Sequence, residues 1–186
     1  DVVLHLNGST TPAAMPLAGQ TALVNFVNAG GGYVTSEYSG YESDILSVTS
    51  TLRPIIAHRV TANGTAATTT VTLLAAATGH PLFAGVTSGF QNTFIRYPVV
   101  GRTGASFAVA ADALGGTYAM TALVGQGRVA SFTHSGNDQG FASSNARKMF
   151  LNAARWAARR ATGVVRAVDQ FLETDLASLA LLHADD

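Results

Sequence analysis

Val2-Val3-Leu4-His5-Leu6 is a short, nearly unbroken apolar run that stops at the polar Asn7-Gly8-Ser9-Thr10-Thr11, the pattern of a buried strand followed by a loop. Pro12 and Pro16 punctuate the approach to the next segment. There Leu23, Phe26 and Val27 recur at helical spacing while Asn25 and Asn28 fall on the other face, which predicts a helix over residues 17–29. Gly30 follows at the position where a left-handed C-terminal cap is wanted. A second strand is predicted over Tyr33–Ser36. Strand, helix, glycines and strand in succession make a βαβ unit, so Val2–Leu6 and Tyr33–Ser36 are expected as adjacent parallel strands joined by a right-handed crossover.

Further along, the β-branched Thr70-Val71-Thr72-Leu73-Leu74 favours a strand. Three more β-rich stretches, Phe107–Ala110, Tyr118–Val124 and Arg128–Thr133, are separated only by Gly115-Gly116 and Gly125-Gln126-Gly127, spacings that predict hairpins and an antiparallel portion of the sheet. Over residues 144–160 the pattern returns to helix. Ala146, Met149, Phe150, Ala153 and Trp156 form one stripe, Ser144 is the expected cap, and Arg159-Arg160 suit the C-terminal dipole. After Gly163 another amphipathic helix can be drawn, with Leu172, Leu176, Leu179 and Leu182 on one side. The expected organisation is therefore an α/β domain over residues 1–162 and a helical tail over 163–186. That tail is expected to dock on the domain or on a second copy, giving a homo-oligomer, because its stripe would otherwise be a large exposed apolar patch.

Composition removes several function classes. The 186 residues are 47% hydrophobic and carry 11 basic against 11 acidic side chains. With no net field to attract a polyanion, nucleic acid is not an expected partner. No stretch is long and apolar enough for a membrane span. The chain has no Cys, which excludes a disulfide framework, a thiolate nucleophile and a Cys-type zinc site. Lys148 is the only Lys beside ten Arg, and Ala, Thr and Gly abound, a balance that suits a GC-rich bacterial genome. An extracellular or periplasmic location is slightly favoured. Asn7-Gly8-Ser9 and Asn63-Gly64-Thr65 fit the glycosylation pattern, which matters only in a secreted eukaryotic chain.

Four motifs resemble a known family. The Gly30-Gly31-Gly32 turn, the turn His80-Pro81-Leu82-Phe83-Ala84-Gly85-Val86, the segment Gly125-Gln126-Gly127-Arg128-Val129 and the helix Asn152-Ala153-Ala154-Arg155-Trp156 occur in an order and spacing similar to the class I glutamine amidotransferase-like fold, and within it to the ThuA-like (trehalose-utilisation) group. The resemblance covers about residues 1–160. It implies a three-layer, flavodoxin-like α/β fold: a mixed, mainly parallel sheet with helices on both faces. It also implies an N-terminal truncation, because the parent fold's first strand and helix find no place before Asp1. Amidotransferases place a nucleophilic Cys on the turn after the second strand, where this chain has Glu37; their His-Pro-Glu run is represented here by His134-Ser135-Gly136. Glutamine amidotransferase activity is thereby excluded.

In open α/β sheets, ligands lie beyond the carboxyl ends of the parallel strands. The loops expected there carry Asn7 and Ser9, then Ser36, Glu37 and Tyr38, then His134, Ser135, Asn137 and Asp138. Glu37 facing His134 would form a carboxylate–imidazole pair suited to general base work, with the remaining residues binding a small polar ligand. The alternative is a structural ion pair, or two side chains projecting into water. Glu37, His134 and Asp138 offer hard O and N ligands, yet no HxxxH or HxH spacing supports a metal, and neither metal nor cofactor is expected. Pro81 fixes a rigid turn and biases His80 away from helix, so His80 reads as structural, and His5 reads as buried and hydrogen-bonded.

Two functions remain. One is a non-catalytic ThuA-like module of a larger, exported bacterial protein, binding a small ligand or packing on neighbouring domains. The other is a hydrolase acting on carbohydrate or another small polar metabolite, with Glu37 and His134 at its centre.

Overall fold

The computed structural model describes residues 1–6, 15–134 and 141–159, and of Glu37 the backbone only. Its elements are β1 (Val2–His5), α1 (Leu17–Asn28), β2 (Gly32–Thr35), α2 (Glu37–Asp44), β3 (His58–Val60), β4 (Thr65–Leu73), β5 (Phe90–Arg96), β6 (Val99–Gly101), β7 (Phe107–Asp112), β8 (Thr117–Val124), β9 (Gly127–Phe132) and α3 (Ser144–Ala157), with a 3-10 helix at Ser50–Ile55. Seven strands form one sheet in the order β1-β2-β9-β8-β7-β4-β5, and β3 pairs with β6 in a separate ribbon.

The chain is an α/β protein, and β1 and β2 are adjacent and parallel, with Val2 opposite Gly32. The expectation of a mainly parallel sheet is corrected. Among the described residues only β1–β2 and β2–β9 pair in parallel, whereas β9–β8, β8–β7, β7–β4 and β4–β5 are antiparallel. The reason lies in connection length: two residues separate β8 from β9 and four separate β7 from β8, too few for the crossover that a parallel neighbour requires.

Along β2 and β9, successive side chains enter different cores, as the two-residue period of a strand demands. Val34 and Ala130 join Met149, Phe150 and Ala153 of α3. Tyr33 and Val129 join Leu23 and Val27 of α1 and Leu52 and Ile55 of the 3-10 segment. Helices therefore cover both faces of these two strands.

The motifs carrying the resemblance explain how this packing closes. Gly30 has a φ of 111° and ends α1, as expected. A Cβ on Gly127 would come within 2.3 Å of the Val27 carbonyl oxygen and 2.5 Å of that of Gly31, so the first residue of β9 must be glycine for α1 and β2 to approach. The second pair of motifs also meets. Asn152 Nδ2 donates to the carbonyls of Leu82 at 3.1 Å and Ala84 at 2.9 Å, and the His80 and Trp156 rings lie 5.3 Å apart. Trp156, half-buried in the α3 stripe, also lies beneath the Arg128 guanidinium at 5.4 Å. At the start of α3 the cap position is Ser143 rather than Ser144, and its side chain makes no capping bond.

Candidate functional site at the carboxyl edge

β1, β2 and β9 end together, His5 opposite Thr35 and Thr35 opposite Ser131. Thr35 and Ser131 are fully buried, and Ser131 Oγ accepts from the Ala57 N–H at 3.0 Å. Polar side chains at this edge are thus partly spent on tying the sheet to the segment before β3.

His5 is the hub of a second set. Its Nδ1 lies 2.6 Å from the Tyr33 hydroxyl and 3.4 Å from Ser39 Oγ. Tyr33 is wholly buried, and that burial pushes its phenol pKa up; burial likewise holds the His5 imidazole below its ordinary value. Both groups are therefore neutral at pH 7, and the contact is a hydrogen bond between uncharged partners rather than an ion pair. The sequence reading of His5 as hydrogen-bonded holds, but the residue is half-buried rather than buried, and no local pattern points to Tyr33 and Ser39 as its partners. Their signal is positional: a polar side chain at the end of an otherwise apolar strand, and hydroxyls on the next strand and the helix after it.

α2 begins directly beyond β2. Ser36 is its N-cap residue in extended conformation, with no side-chain capping bond, and among the described residues its buried Oγ finds no hydrogen-bond partner. Glu37 is the first residue of the helix, and Tyr38 is half-buried. His134 follows β9 and is 0% exposed. Its ring stacks on Tyr118 at 4.9 Å with 16° between planes, and meets Phe132 and Phe141 edge-on, each at 5.3 Å. The expected elements thus supply Ser36, Tyr38 and His134. Asn7, Ser9, Ser135, Asn137 and Asp138 lie outside the described residues, as do the side chain of Glu37 and residues 160–186. Among the described residues no three His, Asp or Glu side chains form a group able to hold a metal ion, and no helix is long and apolar enough to cross a membrane.

No family model and no curated protein matches the sequence. Solved structures do. A ThuA-like protein of Parabacteroides merdae superposes with a TM-score of 0.63 at 14% identity, over 87% of this chain and 71% of that one. A ThuA-like protein of Bacteroides uniformis gives 0.61 at 12% identity, over 84% and 68%. A cold-adapted β-galactosidase of Rahnella sp. R3 gives 0.57 at 16% identity, over 86% of this chain but 22% of the enzyme. These superpositions show that the chain has a ThuA-like fold.

Proposed function

We propose that this chain is a non-catalytic ThuA-like module of a larger protein, binding a small polar ligand above the carboxyl ends of β1, β2 and β9. The observation that carries the reading is the burial of His134 in an aromatic nest. A general base must come within about 2.6–3.2 Å of the proton it removes, and this imidazole is walled off by Tyr118, Phe132 and Phe141. The absence of Cys removes a thiolate nucleophile from this edge. Ser36 and Tyr38, with Asn7, Ser9, Ser135, Asn137 and Asp138, are the polar groups we assign to the ligand. We read the helices on both faces of β2 and β9 as flavodoxin-like layering. The likeness to a stretch amounting to 22% of a β-galactosidase supports a module beside other domains, and makes a carbohydrate the first ligand class to test. We also assign the tail over 163–186 to contact with a second copy.

The test is a titration of the protein with mono- and disaccharides followed by backbone amide shifts, in parallel with assays on chromogenic glycosides. The module reading expects shifts at Ser36–Ser39 and no turnover. Turnover abolished by Glu37→Gln, with the fold intact, would replace it with a hydrolase centred on Glu37 and His134.

A further inference from the structure

At the far end of α2, one helix length from the carboxyl edge, lies an open hollow of about 490 Å³ bordered by Asp44, Arg53, Arg59 and Arg102, with Ile45 and Val60 as its apolar walls. The three guanidiniums come from three places in the fold: the 3-10 segment, β3 and the residue after β6. One carboxylate serves them. Asp44 Oδ2 lies 2.6 Å from Arg102 Nη2, and Oδ1 lies 3.5 Å from Arg53 Nε. Asp44 also accepts from the Val60 N–H at 2.9 Å. The further hydrogen bonds of the two arginines go to uncharged oxygens: Arg53 donates to the Ser43 carbonyl at 3.0 and 2.6 Å and to Ser47 Oγ at 3.1 Å. Arg102 Nε donates to the carbonyls of Ile56 and His58. Such bonds fix the guanidiniums in place without neutralising them.

Arg59 is exposed, and among the described residues its guanidinium has no hydrogen-bond or ion-pair partner. Three positive charges against one negative leave two positive charges facing this hollow, in a chain whose formal net charge is zero. Two arginines held by backbone carbonyls, with a third free to close over the opening, make a receptor for a planar or tetrahedral oxyanion. The hollow is larger than the anion alone, and Ile45 and Val60 offer a surface for an apolar or sugar body.

From this geometry we propose that the hollow binds a small organic molecule through a phosphate or sulfate ester group, with Arg59 as the residue that closes on it. The site is separate from the carboxyl edge and stands or falls independently of the function proposed there.

Inorganic phosphate and inorganic sulfate are the probes, each titrated to about 10 mM at fixed ionic strength, a range that detects even ~1 mM affinity. Saturable shifts of the Arg59, Val60 and Thr61 amides are expected, and the preferred oxyanion identifies the ester. Arg59→Ala should weaken binding by about tenfold or more and leave the melting temperature without phosphate unchanged, since Arg59 supports no described contact; Arg59→Lys should recover part of the affinity. Absence of saturable shifts with either anion, equal affinity in Arg59→Ala, or the same shifts produced by chloride would overturn the proposal.

Discussion

His58 is fully buried, and among the described residues neither of its ring nitrogens has a hydrogen-bond partner. Burial, then the nearby Arg102 charge, lower its pKa to about 4 against the opposing pull of Asp44. Above pH 6.5 the imidazole is neutral whether the chain is folded or not, so it carries no penalty. As pH falls below that value, the unfolded chain takes up a proton that the folded one refuses, and stability falls until about pH 4. The loss is on the order of 3 kcal/mol for this group. Denaturant midpoints measured from pH 7 to pH 4 should therefore decline, and His58→Leu should flatten the decline; an unchanged slope in the variant would show that other groups cause it. Nothing next to His58 in the chain announces this environment. Gly40, Asp44 and Arg102 are brought to it by tertiary structure, which is why sequence reading leaves it without a role. The opposite holds for Asn152: its motif was legible, and its bonds to Leu82 and Ala84 supply the physical reason for it.

α2 shows why some elements escape a periodicity argument. Glu-Tyr-Ser-Gly-Tyr-Glu-Ser-Asp has no apolar stripe and a glycine in mid-helix, so residues 36–39 read as a turn. Tertiary contacts hold the helix instead. Arg53 satisfies the Ser43 carbonyl in its last turn, and Arg102 offsets an Asp44 carboxylate placed at the unfavourable end of the helix dipole. β5 escapes for a related reason: its inward positions are Phe90, Asn92 and Phe94, and the buried Asn92 Nδ2 donates to the Tyr118 hydroxyl at 2.9 Å, a partner no local pattern reveals. By contrast α1 and α3 were legible from spacing because each buries one face, and β7–β9 were legible as β-rich runs separated by short glycine turns. In α2, Gly40 faces His58, and a Cβ there would come within 2.5 Å of His58 Nε2 and 2.9 Å of Val60 Cγ2. Alanine gains about 1 kcal/mol of helix propensity over glycine, but both obstacles are buried and overpacking costs about 1–3 kcal/mol. Gly40→Ala should therefore lower stability by up to about 2 kcal/mol in urea unfolding. A more stable variant would mean that the helix shifts freely past β3.

For the molecule as a whole, the adjacent parallel ends of β1 and β2 were legible from the βαβ unit, whereas the nest around His134 was not. Phe94, Tyr118 and Phe141 reach it from distant parts of the chain, and only the assembled sheet brings them together. If the proposed tail contact is real, truncation after Gly163 should reduce the mass seen by light scattering or the solubility; an unchanged mass, solubility and melting temperature would remove it. A different consequence follows from the division of the sheet. Val124 faces Gly127 across a tight turn, while Gly32 faces Arg128, 96 residues later. Closing a short loop costs far less entropy than closing a long one, and distant pairings form late in folding. The β7–β8–β9 meander should therefore be organised at the rate-limiting barrier, with β2 and β1 joining after it. In stopped-flow chevrons, Val109→Ala should slow refolding, whereas Val34→Ala should mainly accelerate unfolding; the reverse pattern would place the nucleus in the parallel edge. The same order implies that β1 and β2, which flank the proposed ligand edge, are the first to detach when the protein breathes.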